Sequence, residues 1–202
     1  MAVKLIASDL DGTLLTNKKE LSPRTREALD LAAAQGIYLV PATGRSFESV
    51  PEMIREYPGV EYLITANGGA VYSVSEKKRI YQCLMTSESV EAAIAVRKRE
   101  KMVMEVVIDG VPYAEEDYVR DPLSYLATEY GARYIKATRT PVKDIIEFAT
   151  QHAKELDSIS FVCSHEDRNR LYTSLEDEIP DIYVTSSVSN LLEMGHKDAG
   201  KG

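Results

Sequence analysis

Three short, largely apolar runs near the start of the chain, VKLIA, IYLV and EYLIT, each end directly in a small polar loop that carries a glycine: SDLDGT, PATGR and TANGG. Such runs, separated by amphipathic helical stretches, are how the βαβ units of a parallel sheet read. In open parallel sheets the carboxyl ends of the strands form one edge, and ligands bind there. The pattern predicts strands at Val3 to Ala7, Ile37 to Val40 and Tyr62 to Thr65, with the three loops converging. Between the first two, SPRTREALDLAAAQG predicts a helix capped by Ser22, entered through Pro23 and stopped by Gly36. A second helix is expected over Phe47 to Glu56.

After IYQCLM the pattern changes. Helical stretches such as SESVEAAIAVRKREK and PVKDIIEFATQHAKEL alternate with strand-like runs VMEVVIDGVPYA and SISFVCS, and Asp109-Gly110 has the chemistry of a two-residue hairpin turn. This predicts an α+β module with antiparallel strands. The expected domains are therefore 1–83 for the first part of an α/β core, 84–185 for the module, and 186–202 for a return to the core, where SNLLEMGHKDAGKG reads as one more strand and a polar loop.

Composition narrows the function classes. With 202 residues and 44% hydrophobic content the chain can bury a core plus an inserted module. A formal charge of -8 argues against a general nucleic-acid binder, which needs a basic surface to displace counterions. No apolar run approaches the ~20 residues that span a bilayer, so no membrane partner is expected and a cytoplasmic location is. Cys83 and Cys163 have no Cys-x-x-Cys spacing, which argues against a disulfide framework or a thiolate zinc site. His152, His165 and His196 show no metal-ligand spacing either.

The chemistry concentrates in the loops. Side chains alternate along extended backbone, so Asp9 and Asp11 can face one pocket from the end of the first strand while Gly12 turns the chain. Two adjacent carboxylates repel unless a cation or a proton intervenes, and a divalent cation of the magnesium type suits hard oxygens. One carboxylate could then attack phosphorus while the other, protonated, serves the leaving group. Asp-x-Asp-Gly alone also describes a turn before a helix cap. In the second loop the hydroxyl of Thr43, the small Gly44 and the forked Arg45 suit phosphate oxygens, although the same tripeptide can be a helix start with a surface arginine. Asn67-Gly68-Gly69 is either a plain turn or a third contributor.

The string Asp9-Leu10-Asp11-Gly12-Thr13-Leu14-Leu15, with Thr43-Gly44-Arg45, Asn67-Gly68 and Lys201-Gly202, resembles the haloacid dehalogenase superfamily, and within it the Cof-like sugar phosphatases. The resemblance implies a Rossmann-like parallel-sheet core with an inserted α+β cap domain, acting on small phosphorylated metabolites, with sugar phosphates favoured. It implies that Asp9 is a nucleophile that becomes a phosphoaspartate and that Asp11 is the general acid and base. The Asp9 carboxylate and the Asp11 backbone carbonyl would hold Mg²⁺. Thr43 would bind the transferring phosphoryl group, with Gly44, Arg45 and Asn67 lining the site. Lys201, with Lys197 as its competitor, would balance charge on the nucleophile and the phosphoryl oxygens. The family pattern continues past this lysine to a Gly-Asp-x-x-Asn-Asp motif that completes the Mg²⁺ shell. Its absence here leads to the expectation of a C-terminally incomplete core, weak Mg²⁺ binding and a sheet edge open to self-association. Two other readings stand beside the phosphatase: a phosphomutase, and a catalytically incomplete domain that only binds a ligand or partner.

Overall fold

A computed structural model describes residues 3–201, which fall into two compact units. The first takes in the described residues up to 82 together with 200 and 201; the second is Cys83–Ala199. In the first, β1 (Leu5–Ser8) and β2 (Tyr38–Pro41) pair in parallel, with Leu5 opposite Tyr38 and Ser8 opposite Pro41. Helix α1 (Pro23–Ala34) makes the crossover between them. Its start follows the residue chemistry: the Ser22 hydroxyl accepts the Thr25 N–H at 3.1 Å, and Pro23 occupies the first turn. It ends where Gly36 takes a φ of +71°, a left-handed conformation that costs glycine little.

The expected helix over Phe47 to Glu56 is instead a 3₁₀ turn, Phe47–Ser49, and a one-turn helix α2 (Glu52–Arg55). Pro51 separates them, because proline has no N–H to donate and pushes the preceding Val50 into an extended conformation. Strand β3 (Tyr62–Thr65) then lies alongside β2 through parallel bridges at Leu39 with Val60 and Ala42 with Ile64. Antiparallel β4 (Ala70–Ser73) and β5 (Lys78–Gln82) continue from β3. Leu10, Leu15, Leu39, Ile54, Tyr57 and Leu63 pack as the core of this unit. Strand β1 pairs with β2 alone among the described strands, and Val3, Leu5 and Ile6 are exposed.

The second unit comprises α3 (Ser87–Glu100), β6 (Val103–Ile108), β7 (Val111–Glu115), α4 (Glu116–Arg120), α5 (Glu129–Thr138), β8 (Thr140–Val142), α6 (Ile145–Gln151), β9 (Leu156–Val162), α7 (His165–Glu178), β10 (Ile182–Thr185) and β11 (Leu191–His196). They build a six-stranded sheet in the order β10-β11-β9-β6-β7-β8, antiparallel except for β7 with β8. The hairpin between β6 and β7 turns on Asp109 and Gly110, whose φ values of +46° and +76° are those of a type I′ turn. Alternation along β6 sends Met104 and Val106 against the residues of α3, α6 and α7, and Val103 against those of α4 and α5.

One boundary departs from the sequence expectation. A return to the core from residue 186 does not occur at β11, which pairs with β9 and β10 inside the second unit, Leu192 opposite Phe161 and Val184 opposite Met194. The apolar pattern of LLEMG is satisfied by these strands, and Leu192 and Met194 are fully buried there. Only residues 200 and 201 of the described C-terminal stretch belong to the first unit.

Candidate active site

The loop after β1 is fixed from below. Leu10, fully buried, sits between the two aspartates, and its carbonyl accepts the N–H groups of Thr13 and Leu15 at 3.4 and 2.8 Å. Burying Leu10 leaves Asp9 and Asp11 half-exposed in the same loop, while Gly12 turns the chain with a φ of +82°. The second loop is tied to the first by the Ala42 N–H on the Ser8 carbonyl at 2.8 Å. The third is tied to the second at three points: Thr43 N–H to the Ile64 carbonyl at 2.9 Å, Ala66 N–H to the Arg45 carbonyl at 2.9 Å, and Asn67 N–H to the Thr43 carbonyl at 3.0 Å. The convergence predicted from the strand ends is thus held by backbone hydrogen bonds.

Each carboxylate meets a cation. The Lys201 ammonium lies 2.9 Å from Asp9 Oδ1, whereas Lys197, the competing lysine, pairs with Asp181 at 2.6 Å in the second unit. Gly202 lies outside the described residues. Arg45 grips Asp11 with two prongs, Nε to Oδ2 at 2.7 Å and Nη2 to Oδ1 at 2.9 Å. Its third nitrogen donates to the Ser49 carbonyl at 3.0 Å, so the guanidinium is braced on the 3₁₀ turn. Thr43, 1% exposed, accepts the Arg45 N–H on its hydroxyl oxygen at 3.1 Å and keeps its own proton to donate. Sequence reasoning missed Lys19, whose ammonium reaches Asp11 Oδ1 at 2.7 Å. No signal in the sequence pointed to it.

Two glycines act by close approach. A Cβ on Gly44 would meet the Asn67 side-chain amide at 2.9 Å, so the Asn67 amide packs directly over the second loop. Asn67 itself takes a φ of +53°, a conformation that asparagine tolerates better than most residues. A Cβ on Gly68 would lie 2.1 Å from the Gly200 carbonyl oxygen, so the third loop is the seat of the backbone that carries Lys201.

Burial pushes the Asp11 carboxyl up, but the hydrogen bonds and charges of Arg45 and Lys19 outweigh it and hold the group at about 2. Asp11 is therefore a carboxylate at rest. Among the described residues no three His, Cys, Asp or Glu side chains gather as a metal-binding group. Arg45 and Lys19 occupy the Asp11 side chain and Lys201 one oxygen of Asp9, which leaves Asp9 Oδ2 and loop carbonyls as the oxygen donors. Such a sparse hard-oxygen set suits Mg²⁺, which keeps several waters and takes one or two carboxylates with substrate phosphate. An apolar cleft lined by Ile6, Leu29, Tyr57 and Val60 contains neither Asp9 nor Asp11.

Residues 6–202 match the haloacid dehalogenase-like hydrolase family, and the chain belongs to it. Its relatives include a putative phosphatase of Buchnera aphidicola, 28% identical over 98% of this chain and 71% of its own length. An HMP-PP phosphatase of Klebsiella pneumoniae is 26% identical over 98% of this chain and 69% of its own length. Among solved structures, a haloacid dehalogenase-like hydrolase from Bacteroides thetaiotaomicron superposes with a TM-score of 0.76 at 24% identity, covering 99% of this chain and 73% of that one. The fold is the α/β fold of this family, and by family the protein is a hydrolase. No described helix is long and apolar enough to cross a membrane.

Proposed function

We propose that the protein is a Mg²⁺-dependent phosphohydrolase of small phosphorylated metabolites, sugar phosphates foremost, working through a phosphoaspartate on Asp9. The observation that carries this reading is the pairing at one sheet edge of two neighbouring carboxylates with separate cations, Asp9 with Lys201 and Asp11 with Arg45. An oxygen of Asp9 forms a bond to phosphorus as the bond from phosphorus to the leaving oxygen breaks; Asp11, a carboxylate at rest, first takes a proton from the monoanionic form of the entering phosphate ester and then gives it to that oxygen. Water then attacks the phosphoaspartate, Asp11 takes its proton, and the products are the alcohol and inorganic phosphate. Thr43, with Gly44, Arg45 and Asn67, orients the phosphoryl group, and Lys201 offsets its charge and that of Asp9. The Asp9 carboxylate and the Asp11 carbonyl would hold Mg²⁺, which supplies charge neutralisation for the transferring group when bound.

The relative from Klebsiella pneumoniae bears the name of a phosphatase of HMP-PP, and it supports a small phosphorylated metabolite as the substrate class. The test is release of inorganic phosphate from a panel of hexose and pentose phosphates with Mg²⁺. The Asp9→Asn variant is expected to lose at least ~10³-fold in rate. Adding a chelator should remove activity that excess Mg²⁺ restores. Turnover that survives Asp9→Asn means another nucleophile.

A further inference from the structure

Between Leu15 and Leu21, both buried and bridged to each other as antiparallel partners, the chain makes a tight excursion through TNKKE. Thr16 organises it. Its N–H donates to the Glu20 carbonyl at 2.9 Å, its carbonyl accepts the Lys19 N–H at 2.8 Å, and its hydroxyl oxygen receives the Lys18 and Glu20 N–H groups at 3.3 and 3.4 Å. The product of this wiring is a lysine at φ +62°. Left-handed backbone at a residue other than Gly, Asn or Asp is disfavoured and persists where the surroundings impose it. What it achieves here is position: the Lys19 ammonium lands 2.7 Å from Asp11 Oδ1, the same oxygen that Arg45 Nη2 holds at 2.9 Å.

Two cations on one carboxylate are more than that carboxylate needs. Across the loops, Lys19, Arg45 and Lys201 face Asp9 and Asp11, three positive charges against two negative. Arg45 is braced on the Ser49 carbonyl and makes two contacts with Asp11, whereas Lys19 makes one, from a flexible stem, with a third of its side chain exposed. Of the two, Lys19 is the one free to turn toward an incoming anion.

We propose that Lys19 is a ligand of the phosphorylated substrate: it rests on Asp11 and transfers its ammonium to an anionic oxygen of the phosphate as that group enters. The transfer leaves Asp11 with one cation instead of two beside the leaving oxygen. This inference rests on the phosphohydrolase reading above and adds to it a residue delivered by the loop after β1.

The experiment pairs inorganic phosphate binding, by titration calorimetry of the whole chain with Mg²⁺, with steady-state hydrolysis of p-nitrophenyl phosphate. Lys19→Met is expected to weaken phosphate binding and raise KM roughly tenfold or more, the loss of one charge-assisted hydrogen bond. Lys19→Arg should recover part of both. Lys19→Gly relieves the backbone while removing the ammonium, and should show the same binding loss in a chain at least as stable as the parent. Lys18→Met, exposed and one position away, should change neither readout. Phosphate binding and KM unchanged in Lys19→Met and Lys19→Gly overturn the proposal. If the parent binds phosphate through Lys19 but does not hydrolyse the ester, the phosphohydrolase reading fails and the anion ligand stands. If it hydrolyses the ester with Lys19 dispensable, the reverse holds, and if it neither binds nor hydrolyses, both fall.

Discussion

Each unit contains an arginine that grips a carboxylate with two prongs, and the two pairs differ in one respect. In the second unit Arg139 binds Glu105 through Nη2 at 2.7 Å and Nε at 3.1 Å, with side-chain exposures of 12% and 6%. In the first, Arg45 binds Asp11 at 2.7 and 2.9 Å, with exposures of 13% and 35%. The arginines are equally covered; the acids are not. Glu105 projects from the middle of β6 into a packed sheet face, where a charge without its partner has no water to turn to. Asp11 stands in a loop at the strand ends, still in reach of solvent and ligands, with a second cation in attendance. The same contact is sealed from water in one place and open to it in the other.

The largest effect expected from breaking this comparison is at Arg139. Arg139→Ala strands the Glu105 charge in the interior and should cost about 3–5 kcal/mol in urea unfolding. Arg45→Ala leaves Asp11 hydrated and paired with Lys19, so its stability cost should stay below ~1 kcal/mol. On the proposed reading its phosphate release should nonetheless fall ~10²-fold or more, because the group that holds Asp11 and would orient the phosphoryl oxygens is gone. Equal destabilisation by the two substitutions would make the Asp11 pair a structural one.

How much of this was legible in the sequence follows the range of the interactions. The strand-end loops were readable because each is local: an apolar run, then a polar turn with glycine. So were the cap at Ser22 and the hairpin at Asp109-Gly110, which depend on neighbours two or three residues away. The helix expected over Phe47 to Glu56 failed for a local reason, the interruption at Pro51, that apolar periodicity conceals. Strand β11 was read as a strand but given to the wrong unit, since nothing in LLEMG says that Phe161 and Val184 flank it. Lys19 was invisible for a related reason. Its reach depends on a left-handed residue inside a wound turn, and propensity gives no warning of lysine there.

A smaller effect sharpens the distinction between contacts that yield and contacts that do not. Gly44→Ala pushes against the Asn67 amide, the far end of a side chain that can rotate away. Gly68→Ala drives a methyl group to 2.1 Å from the Gly200 carbonyl oxygen, at a φ of +101° that already disfavours alanine. The first should be nearly silent in stability. The second should cost about 1–3 kcal/mol and displace the backbone before Lys201. A shift near 1 Å at that lysine corresponds to a loss of ~10²-fold in phosphate release. If Gly44→Ala proves the more damaging of the two, then the Asn67 amide, and not the Gly200 backbone, is the fixed element.

The smallest expected effect is in acid. Asp11 has its folded carboxyl at about 2 against an ordinary 3.8, burial raising it and Arg45 and Lys19 lowering it further than burial raises it. A group lowered in the folded state binds its proton more readily when unfolded, so its stabilising contribution is fully present above 3.8 and lost as the pH falls toward about 2. Other carboxylates titrate in the same window, which makes the difference between proteins the useful quantity. Between pH 4 and the acid limit, the parent should lose stability faster than Asp11→Asn, whose amide carries no charge for the two cations to hold. Because Asp11 remains partly in water, the gap should be modest and should shrink with added salt. Superimposable profiles for the two proteins would mean that Arg45 and Lys19 hold the carboxylate in place without stabilising the fold.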